Sequence, residues 1–198
     1  MRRPVFFDGM RVGLFGGSFN PPHEGHVLLA RKLQVQLKLD LVWWLVSPQN
    51  PLKQEKPENA QQRIKACEEI AGTYKTYISN EETLLGTTYT ADTIACLKAK
   101  YPNVRFVWIM GADSLRSIHK WRNWQEIFNQ VPVAVYPRPN ETITAGLGPA
   151  AQYFAHARRP ANEASLLPTQ NTPAWILLDG KTHASSSTSI RQQKTNSQ

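Results

Sequence analysis

The chain has 198 residues, of which 41% are hydrophobic, and its formal net charge at pH 7 is +8. This length favours one domain over 1–198, with a core of about 11–191 between a short N-terminal extension and a C-terminal tail. No apolar run approaches the roughly 18 residues that a membrane-spanning helix needs. Asp8 also interrupts the N-terminal apolar stretch too early for a secretory signal. We therefore expect a cytoplasmic protein without a membrane partner.

The positive charge favours an anionic partner, but it is spread over separate clusters instead of one block. A nucleotide matches this pattern better than a nucleic acid, and we expect no nucleic-acid partner. Cys67 and Cys96 are the two cysteines of the sequence, and neither has a His or Cys at metal-ligand spacing. Two buried, reduced thiols are favoured over a disulfide or a metal site.

Short apolar runs alternate with amphipathic stretches along the chain. The predicted strands span 11–15, 41–46, 76–78, 105–110, 131–136 and 175–178. The predicted helices span 24–37, 59–71 with Asn59 as the N-cap, 90–100 with Thr90 as the cap, 124–130 and 150–158. This alternation predicts an α/β fold, in which a doubly wound parallel sheet carries helices on both faces. The less regular, Pro- and Ala-rich segment 140–173 suggests no function.

Three unusual segments each follow a predicted strand. They are a glycine turn at 16–17, a loop at 50–53 and a second turn at 111–113. Because the carboxyl ends of parallel strands meet at one edge of a sheet, these segments converge on the same rim. The sequence therefore predicts a ligand site at that rim.

The segment 16–26 reads Gly-Gly-Ser-Phe-Asn-Pro-Pro-His-Glu-Gly-His. Gly16 and Gly17 lack Cβ, so their backbone can approach a phosphate closely, and the start of the following helix favours an anion. His23 and His26 are three residues apart and can share one face of the first helical turn, with Gly25 leaving space for a ligand. Two imidazoles there can donate hydrogen bonds to one phosphate. A metal site is the alternative, but no third ligand at useful spacing is visible.

A second motif lies near the C-terminus, where the chain reads Ser-Ser-Thr-Ser-Ile-Arg over 186–191. Ser and Thr residues cap helices, so Ser186, Ser187 and Thr188 can open a helix whose N–H groups point at an anion. Arg191 adds a fork of donors that suits phosphate oxygens. A Ser-rich tail without a function is the alternative interpretation.

Together these motifs resemble the His-x-Gly-His nucleotidyltransferase superfamily, and in particular the bacterial nicotinate-nucleotide adenylyltransferases. The resemblance covers most of the chain and implies a Rossmann-like fold. The family's usual strings are Gly-Gly-Ser-Phe-Asp-Pro-x-His-x-Gly-His and Ser-Ser-Thr-x-Ile-Arg. Asn20 stands here in place of the commoner Asp, and Ser185 in place of a frequent Ile. Asn keeps the turn-forming capacity of Asp before Pro21, so we expect little functional loss.

The resemblance also implies roles for individual residues. His23, His26 and Arg191 would be catalytic. ATP would be held by Gly16, Gly17, Ser18, Phe19, His23, His26, Gly111, Asp113, Ser186, Ser187, Thr188 and Arg191. The mononucleotide would be held by Asn20, Lys53, Tyr89, Thr90, Trp121 and Arg122. Packing for the Trp121 indole, helix capping for Asp113 and a solvated loop position for Lys53 are the alternatives.

The implied reaction transfers the adenylyl group of ATP to nicotinate mononucleotide, with Mg²⁺ bound mainly through the ATP phosphates and no protein metal ligands. Nicotinamide mononucleotide and phosphopantetheine are alternative acceptors. An RNA-binding module and a non-catalytic nucleotide sensor are alternatives from other classes. The sequence leaves the oligomeric state open, a homo-oligomer included.

Overall fold

The computed structural model describes residues 3–48, 59–72, 75–139 and 142–180. Within these ranges the strands are β1 Arg11–Gly17, β2 Leu41–Val46, β3 Thr76–Ser79, β4 Arg105–Gly111, β5 Val133–Tyr136, β6 Arg158–Arg159 and β7 Trp175–Leu177. The α-helices are α1 Glu24–Gln36, α2 Ala60–Ala71, α3 Glu81–Leu85, α4 Thr90–Lys100, α5 Ala112–Ser117, α6 Trp124–Gln130, α7 Thr142–Gly146 and α8 Pro149–Tyr153. Short 3₁₀ helices cover Ile118–Lys120, Ala155–Ala157 and Ala161–Thr169.

In the described part of the chain, the seven strands form one sheet in the order β3-β2-β1-β4-β5-β7-β6. Every pair of neighbouring strands is parallel. From β1 the chain moves outward through β2 to β3 and then returns to the other side of β1 as β4. This reversal makes the boundary between β1 and β4 a switch point, where α/β sheets open a crevice for a ligand. The predicted doubly wound parallel sheet is confirmed.

Alternate residues of each strand face opposite sides of the sheet, as β2 shows. Trp43 and Leu45 join a core with residues of α4, α5 and α6, whereas Trp44 and Val46 join a core with residues of α1 and α2. All residues of β2 are buried, which is typical of a parallel strand covered on both sides. The prediction of helices on both faces of the sheet is therefore confirmed.

Several local predictions are also confirmed. The Asn59 side chain caps α2, since its Oδ1 accepts a hydrogen bond of 2.9 Å from the Gln61 N–H. The predicted bounds of β2 and α6 match the structure, and α1 ends one residue before the predicted end. Cys67 and Cys96 are free thiols. Cys67 is buried, which raises its pKa to about 12, whereas Cys96 is only half-buried.

Two predicted turns are wrong. β1 continues through Gly16 and Gly17, which pair with β2 residues, so the chain leaves the strand only at Ser18. β4 likewise continues through Gly111, and α5 begins at the next residue without an intervening turn. In both places the strand ends at a glycine, beside Phe19 at Gly17 and beside the Asp113 and Arg138 side chains at Gly111.

Other boundaries differ because tertiary contacts override the local pattern. The predicted strand 131–136 begins at Val133, since the Val131 N–H still bonds to the last turn of α6. The predicted helix 150–158 is divided into α8, a 3₁₀ turn and β6, which pairs with β7. Thr90 is the first residue of α4 and Tyr89 its N-cap, so the predicted cap is one residue out. No helix in the described ranges is long and apolar enough to cross a membrane.

Candidate active site

At the carboxyl end of β1, beside β4, aromatic rings fill the space next to Gly16 and Gly17. A Cβ on Gly16 would lie 2.3 Å from Trp108 Cη2, and a Cβ on Gly17 would lie 3.0 Å from Phe19 Cζ. The first distance is shorter than any ordinary Cβ contact, so the Trp108 ring favours glycine at position 16, whereas at Gly17 the Phe19 ring would have to move by a few tenths of an ångström. The glycines were expected for the close approach of a phosphate. The structure adds a reason from within the protein, namely close packing of the two rings.

Phe19 itself is 2% exposed and has a positive φ of 45°. Its ring packs against Phe15 and Trp44, with centroid distances of 5.2 Å and 4.9 Å. A side chain buried in this way cannot stack on a nucleotide. Any contact of Phe19 with ATP therefore comes from its backbone.

The two histidines are held together at the start of α1. His23 is the N-cap residue, and its backbone N–H donates a hydrogen bond of 3.2 Å to His26 Nδ1. The His26 N–H in turn donates to the His23 carbonyl oxygen at 2.8 Å. The two imidazole rings stack with centroids 3.7 Å apart and planes 28° apart. The sequence prediction that these rings share one face of the first turn is confirmed.

This arrangement fixes the tautomer of His26. Because Nδ1 accepts a backbone hydrogen bond, the neutral ring carries its proton on Nε2, at the opposite end of the imidazole. Phe19 and Phe15 surround the ring, with centroid distances of 5.1 Å and 6.0 Å. Packing of this kind locks the rotamer of a side chain, which presents the Nε2–H donor in one direction.

Arg138 also lies at this candidate site, although no sequence motif pointed to it. It follows β5 and its side chain is 14% exposed. Its Nε lies 3.5 Å from Asp113 Oδ1 on the first turn of α5. A Cβ on Gly25 would lie 3.0 Å from Arg138 Nη1, and one on Gly111 would lie 3.1 Å from Arg138 Nε. The Arg138 guanidinium therefore lies next to both the first turn of α1, where the two histidines are, and the end of β4.

The environment of Arg138 changes the interpretation of Gly25. The space beside that glycine is occupied by the Arg138 guanidinium and the His23 ring, so it does not remain open for a ligand. The Arg138 backbone is also fixed, because its N–H donates to Thr142 Oγ1 at 3.1 Å and its carbonyl accepts from the same hydroxyl at 2.9 Å. The available sequence signal was an Arg between two prolines directly after a buried strand.

Three of the residues expected to hold the mononucleotide, Trp121, Tyr89 and Arg122, take part in contacts with aromatic rings. Trp121 is half-buried and meets Trp108 edge to face, with centroids 6.5 Å apart. Since the Trp108 ring also fills the space beside Gly16, Trp121 is linked to the end of β1. Arg122 lies over the Tyr89 ring, with its Cζ 4.6 Å from the ring centroid. One face of that ring is therefore already covered by a cation.

Of the other expected site residues, the structure describes Asn20 and Asp113 but not five that lie in the segment after β2 or near the C-terminus. Asn20 is half-buried in the segment between β1 and α1, and Asp113 is exposed at the carboxyl edge of β4. Some lie outside the described residues, namely Lys53, Ser186, Ser187, Thr188 and Arg191.

Two adjacent carboxylates are buried at the start of α3, directly after β3. Glu81 Oε1 contacts the Arg3 guanidinium and lies 3.2 Å from Lys100 Nζ. Glu82 is 4% exposed, and its burial raises the pKa of its carboxyl to about 7. Glu82 therefore titrates near neutral pH, well above the ordinary range of a glutamate.

Comparison with known proteins identifies the family. The model of the cytidylyltransferase-like family matches residues 14–193. The Caulobacter sp. (strain K31) protein named "Probable nicotinate-nucleotide adenylyltransferase" is 49% identical over 192 residues, which are 94% of this chain and 99% of that protein. A protein of the same name from Parvibaculum lavamentivorans is 46% identical, over 97% and 96% of the two chains. The chain belongs to the nicotinate-nucleotide adenylyltransferase family.

The family resemblance inferred from the motifs is thus confirmed, and the chain is an enzyme of the nucleotidyltransferase class. The fold has a solved counterpart in the nicotinic acid mononucleotide adenylyltransferase of Plasmodium falciparum. That structure matches with a TM-score of 0.67 at 16% identity, over 92% of this chain and 83% of the other. It is described in complexes with APC and with NaAD. At this identity the match shows a shared Rossmann-like fold.

Proposed function

We propose that this enzyme transfers the adenylyl group of ATP to nicotinate mononucleotide, forming nicotinate adenine dinucleotide and pyrophosphate in NAD biosynthesis. The observation that carries the proposal is the 49% identity to a nicotinate-nucleotide adenylyltransferase over nearly the full length of both chains. The geometry agrees with it, since a pair of histidines lies at the switch point of the sheet. The APC and NaAD complexes of the Plasmodium falciparum enzyme point to the same substrates.

In the proposed reaction, a 5′-phosphate oxygen of the mononucleotide attacks the α-phosphorus of ATP. A new P–O bond forms, the bond between the α-phosphorus and its bridging oxygen to the β-phosphate breaks, and pyrophosphate leaves. The attacking phosphate is already ionised near neutral pH, so no general base is required. The protein positions the two substrates and stabilises the charge that develops on the transferring group.

The histidine pair is the proposed source of that stabilisation. His26 Nε2–H would donate to an oxygen of the α-phosphate, with a direction fixed by the Nδ1 hydrogen bond. His23, stacked on it, would share the same phosphate. We add Arg138 to the proposed anion-binding groups, because its guanidinium lies next to the His23 ring at Gly25. Arg191 and Lys53 would neutralise the β- and γ-phosphates.

The remaining binding roles stay proposals. The adenosine and phosphates of ATP would contact Gly16, Gly17, Ser18, the Phe19 backbone, Gly111, Asp113, Ser186, Ser187 and Thr188. The mononucleotide would contact Asn20, Tyr89, Thr90, Trp121 and Arg122, with Trp121 as the stacking ring. A positively charged site would prefer nicotinate, which carries a carboxylate, over nicotinamide.

Mg²⁺ fits this site as a partner of the ATP phosphates. Asp113 places one half-exposed carboxylate at the carboxyl edge of β4, beside Gly111. Mg²⁺ typically keeps several waters and takes one or two carboxylates together with substrate phosphates. The ion would neutralise phosphate charge, and Asp113 would orient the hydrated ion or the ribose. A cytoplasmic location and the lack of a nucleic-acid partner stay predictions, and the oligomeric state stays open, a homo-oligomer included.

The acceptor is tested by pyrophosphate release from ATP and Mg²⁺ with three acceptors offered separately, namely nicotinate mononucleotide, nicotinamide mononucleotide and phosphopantetheine. We expect the highest kcat/KM with nicotinate mononucleotide. The reaction without any acceptor gives the background of ATP hydrolysis. A higher kcat/KM with either alternative acceptor would contradict the proposed substrate, and release that needs no acceptor would contradict adenylyl transfer.

A further inference from the structure

Arg63 is a buried arginine that no part of the proposed reaction uses. It lies in the first half of α2, and only 1% of it is exposed. Its Nη1 donates to the Ser18 carbonyl oxygen at 2.6 Å and to the Ser47 carbonyl oxygen at 2.7 Å. Its Nη2 donates to the Pro48 carbonyl oxygen at 3.2 Å. One side chain thus bonds to backbone from two separate loops.

Those loops are the ones that leave β1 and β2 at the carboxyl edge of the sheet. The strands run side by side up to Gly17 and Val46, and the Ser47 N–H still donates to the Gly17 carbonyl oxygen at 3.0 Å. The Ser18, Ser47 and Pro48 carbonyl groups lie just beyond the last paired residues of the two strands, and buried carbonyl groups there need donors. The Arg63 guanidinium supplies these donors as a rigid planar fork, which holds the loops at a fixed separation.

The loop after β1 leads directly to the histidine pair. Ser18, which Arg63 holds, is followed by Phe19, whose ring contacts the His26 imidazole at a centroid distance of 5.1 Å. Phe19 also packs on Trp44 in β2 at 4.9 Å. A shift of the Ser18 carbonyl therefore moves the ring that supports His26. The contact is indirect, since Arg63 binds the loop and the loop supports the imidazole.

We infer that Arg63 is a positioning residue for adenylyl transfer, which sets the orientation of the His23–His26 pair by joining the loops after β1 and β2. The inference rests on the proposed function for its effect on rate, but its effect on geometry can be measured without turnover. A displacement of about 1 Å by a change away from the chemistry can lower a rate by about 10²-fold.

The test compares three variants of the full chain. Arg63→Lys keeps the charge, but its nitrogen ends one bond short of the arginine Nη atoms, so it cannot reach all the carbonyl groups. Arg63→Met removes charge and donors. Lys65→Met removes an exposed cation from the same helix and serves as the matched control. We expect kcat to fall by about 10²-fold in Arg63→Met and by less in Arg63→Lys, with KM for ATP changed by less than kcat.

A spectroscopic arm reports the geometry itself. Imidazole ¹⁵N resonances of His23 and His26 should shift in both Arg63 variants, whereas those of His119 and His156, which lie in other elements, should not. If Arg63→Met does not fold, as judged by thermal unfolding, Arg63→Lys decides both measurements. Unchanged His23 and His26 resonances in a folded Arg63 variant would overturn the inference, as would a wild-type kcat. If wild-type protein forms no dinucleotide, the proposed function fails while the resonances still test the positioning role.

Discussion

Replacing His26 tests the proposed stabilisation of the transferring phosphate. In this structure His26 Nδ1 accepts the His23 N–H at 3.2 Å, so the proton of the neutral ring is on Nε2, and the capping bond and the proposed phosphate bond involve different nitrogens. Removal of one such donor from a transition state lowers kcat by about 10²–10³-fold, which equals roughly 2.7–4 kcal/mol. We expect His26→Ala to lose at least about 10²-fold in kcat for dinucleotide formation. The variant should also lose about 1 kcal/mol of its free energy of unfolding, because it removes a helix-capping bond. This loss of stability is separate from the loss of kcat.

Two further variants separate the contacts of the imidazole. In His26→Asn the side-chain oxygen can take the place of Nδ1 and keep the cap, but no donor reaches the Nε2 position. We expect this variant to unfold at nearly the wild-type denaturant concentration and to show the full loss of kcat. His26→Gln places an amide N–H near the Nε2 position and should recover part of the rate.

The assay is single-turnover formation of the dinucleotide at saturating substrates, which isolates the chemical step from substrate binding. Chemical denaturation of each variant measures folding separately. A folded His26→Asn protein with wild-type turnover would refute the assignment of the Nε2 donor. An equal loss of rate in the Asn and Gln variants would show that the ring stack, and not the donor, carries the effect.

Three other changes have defined outcomes. Gly16→Ala places a Cβ against the Trp108 ring, so we expect the free energy of unfolding to fall by about 1–3 kcal/mol in urea denaturation. Arg138→Met should lower kcat/KM at least about tenfold in the pyrophosphate assay, whereas Arg105→Met, at an exposed position, should leave it unchanged. Burial raises the pKa of Glu82 from 4.5 to about 7, so the native state keeps a proton that the unfolded state releases, and stability should fall as pH rises through this window. Glu82→Gln should remove that fall and be the more stable protein above about pH 7, by roughly 3 kcal/mol at 1.36 kcal/mol per pH unit.

Each of these three predictions can be contradicted by a specific result, and the glycine test has a matched control. Gly146→Ala is the control for the glycine test, because the nearest atom to its added Cβ lies at an ordinary contact distance of 3.4 Å. Wild-type stability of Gly16→Ala would contradict the packing argument. Equal rates for the Arg138→Met and Arg105→Met variants would exclude Arg138 from the anion site. A pH profile of unfolding that is identical in wild type and Glu82→Gln would show that this carboxyl does not titrate near neutral pH.

The fold was largely predictable because its signals are local. The continuous apolar run of β2 and the Asn59 cap of α2 each depend on a few neighbouring residues, and both are confirmed. The histidine pair was predictable for the same reason, since spacing of three along one helix brings two side chains together. The family signature then specified the chemistry.

The features that were missed depend on residues far apart in the sequence. Gly16 and Gly17 suggested a turn, because nothing nearby shows that the Trp108 ring needs the space beside Gly16. Arg63 bonds to a carbonyl group 45 residues away, and its polar side chain gave no sign that it would be buried. β6 exists through its pairing with β7, so its two arginines carried no strand pattern of their own.

Adenylyl transfer is tested most directly by following the α-phosphorus of ATP. The enzyme is incubated with Mg²⁺, nicotinate mononucleotide and ATP labelled at the α-phosphate, and the products are separated by chromatography. The account predicts that the label moves into nicotinate adenine dinucleotide, in amounts equal to the pyrophosphate released. Label that stays in ATP, or that leaves as AMP without entering a dinucleotide, would contradict it.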